Sequence, residues 1–285
     1  MQILEGKKIA EAILLEVKNK IISEQARLQL GVILVGSDEA SKIYVNLKGK
    51  AAEKTGIGFR KIEMTDTVSE DDLLSVISDL NADRAIDGII VQLPLPEHLD
   101  KNKIIQAIDS KKDVDGFNAK NIALFFAGQE RFAPVFPNAI LELIKSVETQ
   151  NVETHCNASL QGKKAVIICN SPEFGQTMQL VLQKEGIVSQ YFFRANMSEN
   201  LAVIKDADII ITACGEPSLI SGEMLKDGVI IIDGGITKVG NSVAGDVNFE
   251  SVQGLNGFIS PVPGGVGPVT IACLLRNVYL ASKDR

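Results

Sequence analysis

The sequence predicts an α/β protein of two domains, each built on a parallel sheet. Three observations predict it. Strand-length apolar runs alternate with helix-period segments along almost the whole chain. Several runs (LGVILVG, IDGIIVQL, KAVIICN, ADIIITACG, GVIIIDGG) have a continuous apolar centre instead of alternating, as strands covered on both faces do. The chain has 285 residues, which is about two domains at roughly 150 residues each.

The elements follow in order. Residues 6–27 carry Ile9, Ile13, Leu14, Val17 and Ile21 at helical spacing. A buried strand over 30–36 ends in Gly36, and residues 39–55 read as a second helix. GFRKIEM (58–64) alternates like a strand with one exposed face. Ser69, followed by acids, opens a helix over 69–82. The strand over 86–93 is stopped by Pro94 and Pro96. A helical run at 139–147 gives way to a polar stretch over 148–162. A second series then begins: strand 164–170, helix 175–185, and strands 186–193, 207–215 and 228–235. Residues 236–247 read as a hairpin around Gly240-Asn241, and the last helix runs over about 268–281. The split between domains falls near residue 138.

Composition narrows the function. Hydrophobic residues make up 45% and charged residues 23%, a globular balance with sizeable cores. With 29 Lys and Arg against 36 Asp and Glu, the net charge is -7, which argues against nucleic acid as a partner. An anionic substrate then needs a locally positive site. No stretch approaches the roughly 20 apolar residues of a membrane span. Glu5, Glu11 and Glu16 interrupt the N-terminal segment, so it lacks the apolar core of a signal peptide. A soluble cytoplasmic protein is expected. Cys156, Cys169, Cys214 and Cys273 are widely spaced, which favours neither zinc nor a disulfide framework. Three of them lie in apolar runs and read as small buried hydrophobes. His98 and His155 lie in polar connections and read as surface residues, and no metal site is expected.

Within the predicted helix 39–55, Ser41, Tyr44 and Lys48 share a face. That face can point toward the carboxyl ends of the strands, where open α/β sheets place ligands. Gln92 closes the third strand, a position that points to a ligand site more than to a core amide. By spacing alone, Lys48 reads as a solvated lysine and Asp115 as a turn aspartate beside Gly116.

Six segments change that reading: ILEGKKIA (3–10), SKIYVNLKGKAAE (41–53), VQLPLP (91–96), KDVDGF (112–117), GDVNFE (245–250) and SPVPGGVGPVT (260–270). In this order and at these separations they resemble the bifunctional methylenetetrahydrofolate dehydrogenase/methenyltetrahydrofolate cyclohydrolase family, nearly end to end. The resemblance implies a folate-binding catalytic domain over 1–138 and a Rossmann-like NADP-binding domain over 139–267, with a cleft between them. The helix 268–285 is expected to pack back on the first domain. The implied activity oxidises 5,10-methylenetetrahydrofolate with NADP, NAD being the alternative nucleotide. It then hydrolyses the methenyl product to 10-formyltetrahydrofolate. A homodimer formed through the second domain is implied as well.

Residue by residue, the resemblance makes Lys48 the catalytic group, its pKa lowered by partial desolvation. Tyr44 lines the folate pocket, and Gln92 hydrogen-bonds and orients Lys48 or the region of the reacting carbon. Asp115 anchors the pterin, since a carboxylate can accept two parallel hydrogen bonds from the 2-amino and N3-H edge. Asp113 reads as structural. Ser41, Pro263, Gly264 and Gly265 border the substrate. Asn170, Ser171 and Gly175 form the pyrophosphate turn. Arg194 falls where an arginine accommodates the 2′-phosphate of NADP. Ile236 and Thr270 fall near the nicotinamide end.

Two segments depart from the family pattern. Its Gly-Arg/Ala-Ser-x-x-Val-Gly-x-Pro turn is here Cys169-Asn170-Ser171 with Phe174, Gly175 and Thr177, and Pro172 and Glu173 fill the gap. Its Pro-Cys-Thr-Pro-x-Gly is here Pro134-Val135-Phe136-Pro137-Asn138-Ala139. These departures keep two other readings open: a cyclohydrolase with weakened or altered nucleotide use, and a non-catalytic folate-binding paralogue.

Overall fold

Two α/β units make up the computed structural model, which describes residues 1–153, 159–240 and 242–284. In chain order the elements are β1 (Gln2–Ile3), α1 (Gly6–Glu24), β2 (Gln29–Val35), α2 (Glu39–Thr55), β3 (Gly58–Met64), α3 (Glu70–Ala82), β4 (Gly88–Val91), α4 (Lys101–Ala107), α5 (Ala119–Phe126) and α6 (Val135–Glu153). They continue with β5 (Lys164–Cys169), α7 (Pro172–Lys184), β6 (Val188–Phe193), α8 (Leu201–Asp206), β7 (Ile209–Ala213), β8 (Val229–Asp233), β9 (Thr237–Val239), β10 (Ser242–Ala244), α9 (Phe249–Val252), β11 (Gly257–Ile259) and α10 (Val266–Ala281).

One unit comprises residues 11–135 and 271–285. Its sheet has the parallel order β3-β2-β4. β2 and β4 are buried along nearly their whole length, whereas the edge strand β3 alternates between half-buried and exposed positions. That difference matches the apolar runs of the first two and the alternation of the third. Leu73, Ile77 and Leu80 lay one face of α3 on this sheet, in a core with Ile33, Val35, Ile89 and Ile104. Truncating such a residue, Ile77 for example, costs about 2–5 kcal/mol. On Gly88 a Cβ would fall 2.8 Å from Val114 and 3.2 Å from Val278, so glycine here lets α10 and the 113–116 loop pack onto β4.

The other unit comprises residues 1–10 and 136–270. Its sheet runs β1-β11-β8-β7-β5-β6, all parallel. The chain leaves β5 for β6 on one side and then crosses to β7 and β8 on the other. β5 therefore marks the switch in strand order, beside which sheets of this type leave a crevice at the carboxyl edge.

Several expectations need revision. The expected first domain includes residues 1–10, but β1 pairs with β11 and joins the larger sheet. The helix expected over 139–147 is longer, Val135–Glu153. Pro137 lies in its first turn, where no N–H is needed, and the Glu- and Gln-bearing stretch continues it. The helix expected from 175 begins at Pro172, because Ser171 caps it by accepting the Phe174 N–H at 3.2 Å. Pro172 thus occupies the first helical position and removes a donor the helix leaves unpaired in any case. α4, α5, α8, α9, β1 and β11 have no counterpart among the expected elements. The expected hairpin is present as β9 and β10. Asn241, His155 and Cys156 lie outside the described residues.

Candidate active site

α2 is bounded by two local signals. Asp38 caps it by accepting the Ser41 N–H at 2.7 Å, and Gly56 closes it in the left-handed conformation, φ 83°. Ser41, Val45, Lys48, Ala52 and Thr55 recur along its buried face, so Lys48 is carried inward with apolar neighbours. Its Nζ donates to Gln92 Oε1 at 2.9 Å. Gln92 follows directly on β4, held by its N–H on Ile33 O at 2.9 Å. Its Nε2 donates to Leu93 O at 2.7 Å, which fixes the amide so that its oxygen faces the lysine. Ser41 Oγ reaches the same Leu93 carbonyl at 3.5 Å. Tyr44, half-buried on α2, has its phenol pushed up by burial.

Asp115 lies in a loop pinned on several sides. Asn277 of α10 donates to Val114 O at 2.9 Å and to Ala133 O at 3.2 Å, and the Val135 N–H donates to Asp115 O at 3.1 Å. Gly116 has φ 79°, and a Cβ there would meet Pro134 Cα at 3.0 Å, so only glycine turns the chain at this point. Among the described residues nothing hydrogen-bonds the Asp115 carboxylate. Asp113, by contrast, accepts from the Gly116 and Asn118 N–H groups and from Asn121 Nδ2 at 3.3, 2.7 and 2.9 Å, and so ties the loop together.

The electrostatics follow from burial. Burial holds the Lys48 amine below the usual lysine range, and the Asp115 charge opposes that only in part. Asp115 is pushed up to about 6 by burial, with Lys48 pulling it down and Asp113 pushing it further up. The result is an amine that gives up its proton more readily than a free lysine, in the same unit as a carboxylate whose ionisation burial opposes.

The remaining candidates lie in the other unit. Asn170 donates through Nδ2 to Cys214 O at 2.7 Å. At Gly175 a Cβ would fall 2.6 Å from the Tyr191 ring, so glycine lets α7 pack closely on β6, as the last glycine of a dinucleotide-binding turn does. The N-terminus of α7 lies at the carboxyl edge of β5, where helix amides favour an anionic group. Arg194 follows β6 and pairs with Glu216. Ile236 is 51% exposed. Thr270 Oγ1 donates to Val266 O at 3.0 Å within α10. Pro263 is exposed, Gly264 takes φ 107°, and the Gly265 N–H closes a turn on Pro261 O at 2.8 Å. The two large departures from the family turns meet each other. Phe136 packs on Phe174 with ring centroids 5.4 Å apart, and its ring edge fills the space beside Gly234. Of the cysteines, Cys169 and Cys273 are buried and Cys214 is half-buried, its thiol pushed up to about 12 by burial and by Asp246. His98 is exposed, its Nε2 3.0 Å from Val68 O.

A buried lysine held by a glutamine at a strand's carboxyl end, and a separate parallel sheet with a dinucleotide-type turn, together define a two-unit, nucleotide-dependent α/β enzyme. The chain belongs to the tetrahydrofolate dehydrogenase/cyclohydrolase family: the family's catalytic-domain model matches residues 4–115 and its NAD(P)-binding-domain model residues 134–285. Among curated relatives, the bifunctional protein FolD of Campylobacter hominis is 41% identical over 291 residues, covering 100% of this chain and 98% of the relative. Listeria innocua FolD is likewise 41% identical, covering 99% and 97%. Among solved structures, the FolD methylenetetrahydrofolate dehydrogenase/cyclohydrolase of Campylobacter jejuni has a TM-score of 0.91 at 38% identity, covering 100% and 99%. The dehydrogenase-cyclohydrolase of Trypanosoma brucei, solved with NADP and an inhibitor, has a TM-score of 0.90 at 28% identity, covering 99% and 97%.

Proposed function

We propose that this chain oxidises 5,10-methylenetetrahydrofolate to 5,10-methenyltetrahydrofolate with NADP and hydrolyses that product to 10-formyltetrahydrofolate. The observation that carries the reading is the buried Lys48 held by Gln92, with the Asp115 carboxylate in the same unit. Family membership and the bifunctional relatives support it. When bound, the nucleotide accepts a hydride from the one-carbon bridge.

Asp115 takes the 2-amino and N3-H edge of the pterin and so sets where the bridge lies. Losing a hydride from the bridge leaves a cation shared by N5 and N10, and no hydroxyl proton departs in that step. A general base is therefore not needed for oxidation. Hydrolysis does move protons. Water adds to the bridge carbon as neutral Lys48 removes a water proton. The carbon–N5 bond then breaks as the Lys48 ammonium protonates N5, leaving the formyl group on N10. The net release is one proton. Gln92 Oε1 accepts from Nζ in either charge state and keeps the amine aimed throughout. Tyr44 and Ser41 line the same helix face, and Pro263, Gly264 and Gly265 border the folate. Asn170, Ser171 and Gly175 take the pyrophosphate, Arg194 the 2′ position, and Ile236 and Thr270 the nicotinamide end.

Two assays test this. Methylenetetrahydrofolate with NADP or NAD should yield the methenyl species, and methenyltetrahydrofolate alone should be hydrolysed. Hydrolysis without oxidation would reduce the enzyme to a cyclohydrolase, and silence in both would leave only a folate binder. A cytoplasmic homodimer formed through the nucleotide unit belongs to the same reading. It is supported by β6, an edge strand whose Val188 is 61% exposed, and among the described residues no helix is long and apolar enough to cross a membrane. Light scattering would check the mass.

A further inference from the structure

At the carboxyl edge of the larger sheet three strands end level. Cys169 of β5 pairs with Phe193 of β6 on one side and with Ala213 of β7 on the other. The next residue on each strand is therefore Asn170, Arg194 and Cys214. Asn170 Nδ2 donates to Cys214 O, tying the pyrophosphate turn to the loop after β7. That loop is held firmly from below. The fully buried Asp246 takes the Cys214 N–H on one carboxylate oxygen at 2.7 Å and the Glu216 N–H on the other at 2.8 Å, with Gly215 between them at φ 68°. So fixed, the loop presents the Glu216 carboxylate to the Arg194 guanidinium.

Dinucleotide-binding sheets read the adenosine ribose at the end of their second strand. A carboxylate there takes the 2′-hydroxyl of NAD, and an arginine takes the 2′-phosphate of NADP. This chain has the arginine at that point, after β6, and brings the Glu216 carboxylate into contact with it from the loop after β7, across the end of β5. Their side chains are 50% and 42% exposed, and the ion pair is partly screened by water, although its contacting oxygen, Glu216 Oε2, is itself shielded. The pair separates when a ligand offers either partner something stronger. A phosphate dianion gives Arg194 a bidentate, charge-assisted contact while Glu216 repels it. A ribose hydroxyl gives Glu216 a donor and leaves Arg194 paired.

We propose that Arg194 and Glu216 form a two-way reader of the adenosine ribose 2′ position, so that the enzyme accepts both NADP and NAD, with Glu216 restraining the preference for NADP. This rests on the dehydrogenase reading above and adds Glu216 to it as a specificity-determining residue.

The test is kcat/KM for NADP and for NAD with methylenetetrahydrofolate, with Kd values for NADPH and NADH from fluorescence titration. It compares the native protein, Glu216→Gln and Arg194→Gln, all checked for folding by circular dichroism. The native protein should discriminate between the nucleotides by less than about tenfold; Glu216→Gln should raise the NADP:NAD ratio by about tenfold, and Arg194→Gln should lower it by a similar factor. A ratio that Glu216→Gln leaves unmoved, or that both variants move in the same direction, would overturn the two-way reader while the dehydrogenase reading stands. A native protein that binds neither nucleotide would overturn both.

Discussion

Replacing Asp115 by asparagine should make the unit that carries it more stable at neutral pH while disabling the site. Asp115 is pushed from 3.8 to about 6. A folded-state pKa above the unfolded value means the native state binds the extra proton. The stability this gives is present below pH 3.8 and is lost as pH rises through about 6. The difference of about two pKa units corresponds to roughly 3 kcal/mol. The substituted amide imitates the protonated carboxyl and never ionises, so the Asp115→Asn variant escapes that loss. At roughly 2–4 °C per kcal/mol, the thermal transition of this unit should rise by roughly 6–12 °C at pH 8 and by almost nothing near pH 3.5. Differential scanning calorimetry across that range measures it, and methenyltetrahydrofolate hydrolysis by the same variant should be lost. A variant no more stable than the native protein at pH 8, or a difference that ignores pH, would refute the claim that Asp115 is held ionised against its surroundings for the sake of a ligand.

Three further outcomes follow from the same geometry. The pH profile of hydrolysis should fall on its acid side near pH 6, where Asp115 takes up a proton and ceases to be a two-site acceptor; steady-state rates in constant-ionic-strength buffers check this. Gln92→Glu places a carboxylate against Nζ, stabilises the ammonium, and should move the Lys48-dependent part of that profile to higher pH, with the apparent pKa as the readout. Asn277→Leu strips the donor from the Val114 and Ala133 carbonyls, costing about 1–3 kcal/mol for each carbonyl left unpaired. Because those carbonyls flank the Asp115 loop, it should also raise KM for folate more than KM for nucleotide.

Much of this was legible in the sequence where the signal was local. α2 runs over the expected 39–55 because its cap, its apolar periodicity and its closing glycine all lie within the segment. The same holds for β3 over 58–64 and for the helix that Ser69 opens. The pieces that escaped depend on distant partners or are very short. β1 is two residues long and exists only because β11, from the far end of the chain, offers it an edge. α4 has seven residues, too few to show a period. At the site, Lys48 and Asp115 look like surface residues by spacing alone; only motif order lifts them, and burial is what gives the lysine its chemistry. Glu216 was missed because nothing in the sequence sets Phe193, Cys169 and Ala213 level. An acid just after the Gly215 that ends an apolar strand was the available hint. Phe136 and Phe174 read separately as disruptions, but packed together they are a matched pair of enlargements within one unit.

The central claim is that the Lys48 amine carries the protons of hydrolysis. Single-turnover conversion of methenyltetrahydrofolate by Lys48→Ala tests it most directly, with substrate affinity measured on the same preparation. The account predicts a rate lower by at least about 100-fold with the substrate still bound. Hydrolysis at the native rate would contradict it.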